Sequence, residues 1–133
     1  MKNSFLLWAA IFGMLNVVLG AFSAHMLQSM LTPEQLHSYE TGVRYQMYHA
    51  LALLVVGILL VSWPTSSYLR SAGRLFIIGV LLFSGSIYLL NLRHLLGLDG
   101  IQKFIGPITP IGDLLLIGGW LSLAWAVISA RKA

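Results

Sequence analysis

The side chains best suited to metal, haem or acid–base chemistry are four histidines, His25, His37, His49 and His94, and four carboxylates, Glu34, Glu40, Asp99 and Asp113. Their spacing is wrong for a helical metal site: no two histidines stand four residues apart, and no HExxH is present. Haem held between histidines of different helices is a chemistry that bundles do support. The absence of cysteine removes disulfides, thiolate nucleophiles, iron–sulfur clusters and covalently attached haem. Ser23, Ser84 and Ser86 lie in no nucleophile elbow and read as small packing residues. No catalytic, cofactor-binding or metal-binding residue is therefore assigned.

A second grouping is electrostatic. On a helix, His37, Glu40, Thr41, Arg44 and Tyr48 fall within about a 100° arc. Glu40 precedes Arg44 by four residues, the favourable order for an intrahelical ion pair. His25, His49, Arg93 and Asp113 come from the same end of their apolar runs and complete a candidate polar cluster with Glu40, Arg44 and Tyr48. Two readings of it stand side by side. One is a polar pocket near a membrane surface; the other is a seam of salt bridge, snorkelling tyrosines and one buried histidine bonded to a neighbouring helix.

The elements that must hold these residues are helices in lipid. Hydrophobic residues make up 58% of the 133 residues and charged residues 9%, too apolar for water to be the only solvent of so small a chain. Uncharged windows run from Asn3 to Pro33, Tyr45 to Leu69, Leu75 to Leu92 and Leu114 to Ala130. Each reaches the roughly 17–25 residues that a helix needs to cross hydrocarbon. None alternates as a barrel strand would. The chain is expected to be all-α, a single domain over 1–133, with four transmembrane helices and an amphipathic lead-in to the second. The first window follows Lys2 and carries a weak cleavage match at Ala21-Phe22-Ser23, yet it outruns a signal core and reads as a retained helix.

Local signals set the helix limits. Thr32, Pro33 and Gln35 form a hydroxyl cap, a first-turn proline and a capping-box partner. Leu36, Tyr39, Val43 and Met47 then recur at helical spacing, and Trp63-Pro64 marks the far end. So long a helix must tilt, protrude or bend near Gly42. Thr109 and Pro110 suggest a second cap, which places Asp113 at the end of a first turn. No helix is expected to carry an ionisable residue at its centre, and Asn16 is the strongly polar side chain at mid-depth. Asn16 shares a face with Gly13 and Gly20, and Gly118 with Ser122 forms a matching stripe; these are candidate helix-packing residues.

Charge fixes an expected topology. Lys2, Arg70, Arg74, Arg131 and Lys132 fall on one side, and Arg44, Arg93 and Lys103 on the other, so both termini are expected in the cytoplasm. The basic residues are scattered at the ends of apolar runs, not gathered in a stripe, which argues against nucleic acid as a partner. The expected partner is the lipid bilayer, with a homo-oligomer or a larger membrane complex beyond it.

Several blocks carry a resemblance: Gly20-Ala21-Phe22-Ser23-Ala24-His25, the long run from Tyr39 to Leu51, Phe83-Ser84-Gly85-Ser86-Ile87-Tyr88, and Gly106-Pro107-Ile108-Thr109-Pro110-Ile111-Gly112. In this order they resemble an uncharacterised family of small bacterial inner-membrane proteins, related to transmembrane protein 256. The resemblance implies a four-helix membrane protein and no particular activity. The family pattern has a small residue after the last block, where this chain has Asp113. Three functional readings follow: a packing or interaction protein without catalysis, a small oligomeric transporter or channel using Asn16 and the polar cluster, and a membrane enzyme or haem protein.

Overall fold

The computed structural model describes residues 4–132, with side chains through Arg131. Its long helices are α1 (Ser4–His25), α2 (Pro33–Ser62), α3 (Ser67–Leu92) and α5 (Ile108–Lys132); a single-turn α4 (Gln102–Ile105) lies in the last connection. Among the described residues, these four long helices are apolar and long enough to cross a membrane. Lys2 lies outside the described residues, as does the side chain of Lys132.

α2 starts as its sequence dictates. Thr32 Oγ1 accepts from the Gln35 amide at 3.1 Å, and Gln35 Oε1 accepts from the Thr32 amide at 3.0 Å, a complete capping box with Pro33 in the first turn. The helix then runs 30 residues, unbroken through Gly42. At 1.5 Å per residue that is about 45 Å, longer than the roughly 30 Å of hydrocarbon. Gly42 serves close packing: a Cβ there would meet Tyr88 at 3.0 Å and Ile87 at 3.1 Å. Trp63 caps the far end, Pro64 breaks the chain, and Ser66 Oγ accepts from the Leu69 amide to start α3.

The start of α5 differs from expectation. The helix begins at Ile108, not Pro110, so Thr109 does not cap it and Asp113 falls in the second turn. Thr109 has another partner: its hydroxyl meets Ser86 Oγ of α3 at 2.5 Å. A tertiary contact has displaced the local cap.

The extensive packing is serial and antiparallel: α1 on α2, α2 on α3, α3 on α5. α2 and α3 hold most of the core, with Leu53, Val56, Leu69, Ala72 and Phe76 fully buried. α1 and α5 flank them and expose broad apolar faces, as helices in lipid do. Glycines set the closest approaches. A Cβ on Gly112 would strike the backbone of Phe83, and one on Gly79 would lie 2.6 Å from Leu116 Cδ2.

Candidate functional site

The polar side chains inside the bundle are joined helix to helix. Gln46 of α2 donates through Nε2 to the Phe12 carbonyl of α1 at 2.8 Å and accepts at Oε1 from the Tyr88 hydroxyl of α3 at 2.6 Å. Asn16 of α1 donates through Nδ2 to the Val43 carbonyl of α2. Tyr39 donates to the Leu19 carbonyl at 2.9 Å, Ser84 to the Gly42 carbonyl at 2.7 Å, and Asn91 Nδ2 to Ser38 Oγ at 2.9 Å. On the other flank, Ser122 donates to the Tyr68 carbonyl at 2.8 Å.

His49 is the ionisable member of this set. It lies sixteen residues past Pro33 and thirteen before Ser62, at the middle of α2, and is 5% exposed. This corrects the expectation that no helix centre carries an ionisable group; Gln46, also buried there, corrects the idea that Asn16 stands alone at mid-depth. The apolar window from Tyr45 had suggested that His49 lay near an outer edge, but α2 neighbours the middles of α3 and α5 at this level. His49 Nδ1 is 2.7 Å from the Tyr45 carbonyl, and Trp120 Nε1 of α5 is 2.9 Å from Nε2. A carbonyl only accepts and an indole N–H only donates. The proton is therefore on Nδ1, Nε2 is the acceptor, and the imidazole is neutral. The rings of Phe76 and Trp120, centred 5.6 and 5.8 Å away, close over it. This arrangement stores no free donor or acceptor for chemistry.

The expected cluster does not assemble as a whole: Asp113 lies within electrostatic reach of His49, but the other members are scattered. Gln46 and Phe12 place α1 and α2 in register, so His25 and His49 are sixteen residues apart along the axis, about 24 Å. Ser86 and Thr109 likewise separate Arg93 from Asp113 by eleven residues, about 16 Å. His25 is exposed at the end of α1. Glu40 and Arg44 form no ion pair; the guanidinium of Arg44 donates to Thr41 Oγ1 at 3.0 Å, and Thr41 in turn donates to the His37 carbonyl. With Arg44 exposed and Glu40 half-buried, such a pair would contribute little, about 0–1 kcal/mol at a surface, and a nearby hydroxyl competes easily. The close imidazole–carboxylate contact among the described residues is His94 Nδ1 with Asp99, across a turn where Gly97 has φ 70°. Arg93 folds onto its own helix end and donates to the Leu90 carbonyl, its Nε buried without a partner. Asp113 is partly exposed. Tyr48 is exposed, its ring tilted against that of Tyr45. Among the described residues no three His, Asp or Glu come close enough to hold a metal.

Of the packing residues, Asn16 and Ser122 bridge helices by hydrogen bonds. Gly20 and Gly118 face Val43 and Leu75 at ordinary contact, 3.7 and 3.5 Å from an added Cβ. Gly13 faces open space and packs nothing within the chain. Sequence reading missed Gln46, Tyr88, Asn91 and Trp120. An uncharged amide inside an apolar run was the available signal for Gln46 and Asn91.

A four-span bundle whose interior polar groups bridge helices defines the class: a multi-pass integral membrane protein. The chain belongs to the family described as protein of unknown function (DUF423), which matches residues 19–113. It is 41% identical over 128 residues to a UPF0382 membrane protein of Staphylococcus haemolyticus, covering 96% of this chain and 95% of that one. A UPF0382 membrane protein of Haemophilus influenzae is 37% identical over 132 residues, 99% of each chain. One from Schizosaccharomyces pombe is 39% identical, covering 86% of this chain and 93% of its own length. No solved structure matches.

Proposed function

We propose that this is a non-catalytic protein of the bacterial inner membrane, both termini cytoplasmic, that works by associating with a second copy or a larger membrane complex. One contrast carries the reading. Apart from the Nε of Arg93 at a helix end, polar side chains inside the bundle pair off within the chain, whereas those left without a partner face outward. Tyr48 is the clearest case: it lies at mid-depth on α2, 54% exposed, and its hydroxyl has no hydrogen bond within the chain. A phenol facing hydrocarbon alone is costly, and a polar group on a neighbouring protein relieves that cost. The exposed His25 and Arg44, with the half-buried Glu40, supply a polar rim at the outer end. The orientation rests on Arg70, Arg74 and Arg131 gathering at one end, opposite Arg44, Arg93 and Lys103.

The test is particle mass in native-lipid nanodiscs. Wild type is expected as a dimer or larger assembly, and Tyr48→Phe should shift it toward single copies without lowering the melting temperature. Single copies for both proteins would overturn the reading. Solute or proton flux in proteoliposomes would replace it with transport.

A further inference from the structure

At the end of the bundle that holds the α2–α3 turn, a cavity of about 480 Å³ opens between that turn and the last turns of α5. Trp63, Pro64 and Tyr68 form one wall, and Ala126 and Ala130 the other. Its polar lining includes Ser62, Thr65, Ser67 and Ser129. These four hydroxyls have no hydrogen bond within the chain, unlike the polar side chains of the bundle interior. They are exposed hydroxyls lining an open space.

The lining itself is uncharged, and the charged residues nearest to it along the chain are all of one sign. The guanidinium of Arg70 lies on the turn, donating to the Pro64 carbonyl at 3.1 Å and the Thr65 carbonyl at 3.5 Å, with further N–H donors left over. Arg74 follows one turn later, and Arg131 directly follows Ala130. No carboxylate among the described residues offsets them. Glu34, Glu40 and Asp99 are at the opposite end, and Asp113 is thirteen residues from Ala126, about 20 Å along α5. Depth adds the last constraint. The cavity sits where two apolar spans end and an interfacial tryptophan and tyrosine line it, which is the level of lipid headgroups.

We infer that this cavity receives the phosphate-bearing headgroup of an anionic phospholipid, with the acyl chains running down the apolar faces of α3 and α5. The hydroxyls of Thr65, Ser67 and Ser129 donate to phosphate oxygens, and Arg70 supplies the balancing charge. A free phosphate shares the headgroup's chemistry, but lacks the chains that would lie against the helices below the cavity.

The full chain is reconstituted in vesicles of mixed phosphatidylglycerol and phosphatidylcholine, and retained lipid is counted by native mass spectrometry. One phosphatidylglycerol per chain is expected, preferred roughly five-fold or more over phosphatidylcholine, the worth of about one cation at an anionic surface. Ser129→Leu, which fills the cavity from an exposed position, should abolish the preference. Thr65→Val, which removes a hydroxyl at nearly constant volume, should reduce it and guards against a folding defect in the first variant. Equal retention of the two lipids by wild type overturns the inference, as does an unchanged preference in both variants. Inorganic phosphate that binds as tightly as the lipid would assign the cavity to a soluble anion instead.

Discussion

Exchange of Trp120 for phenylalanine keeps an aromatic ring against Phe76 and deletes the N–H that His49 receives. Interhelical hydrogen bonds in membranes contribute about 0.6 kcal/mol on average, up to about 1.7. Trp120→Phe should therefore lower stability by roughly 1 kcal/mol, since it strands a buried acceptor. His49→Ala removes a packed ring and two hydrogen bonds, and should cost roughly 2–4 kcal/mol. Arg44→Ala should melt like wild type, because its one bond, to Thr41, is exposed. Thermal unfolding of the three variants in one detergent checks the order; a stable His49→Ala or a fragile Arg44→Ala would contradict it. The sequence points to an Arg44–Glu40 ion pair, which the structure lacks, and its seam reading includes a buried histidine bonded to a neighbouring helix, which His49 is. Helical spacing reveals neighbours along one helix, such as Glu40 and Arg44. It does not reveal that an indole from 71 residues away faces His49, nor which carbonyl an amide will reach, since every residue carries one.

At the scale of elements, the same limit separates the helices from their contacts. The capping box of α2, the Trp63-Pro64 end and the four apolar runs are local features, and the structure reproduces them where the sequence placed them. The start of α5 was not legible, because Thr109 meets Ser86 of another helix instead of capping its own. The glycine contacts were legible only in kind. Gly118 and Gly20 stood out for their small-residue stripes, yet the tightest approach of α5 to α3 is at Gly112, where a methyl would meet the Phe83 backbone. Backbone cannot move aside as a side-chain tip can. Gly112→Ala should thus separate α5 from α3 and cost about 1–3 kcal/mol or more, as overpacking does. Gly118→Ala, 3.5 Å from Leu75, should be nearly neutral. Similar melting temperatures for the two alanine variants would mean that α5 shifts freely on α3.

For the whole molecule, four crossings put the start of α1 and the end of α5 on one side, as the uncharged windows imply and the antiparallel serial packing agrees with. Which side is a question of charge. With Arg70, Arg74 and Arg131 toward the cytoplasm, an alkaline phosphatase fused after Ala133 should be inactive and a green fluorescent protein there bright. A strongly active phosphatase would invert every loop. The interior bonds also shape how the chain tolerates mutation. Asn16, Tyr39, Gln46, Ser84 and Ser122 each donate to a backbone carbonyl on a neighbouring helix, so the bond depends on the identity of one partner only. Leu19 and Val43 can be exchanged for other apolar residues of similar bulk with the carbonyl still in place, whereas each donor is lost with its side chain. A saturation screen would record that asymmetry as permissive receivers facing intolerant donors. Gly42 is the exception among receivers, because Tyr88 and Ile87 already occupy the space that any side chain would need.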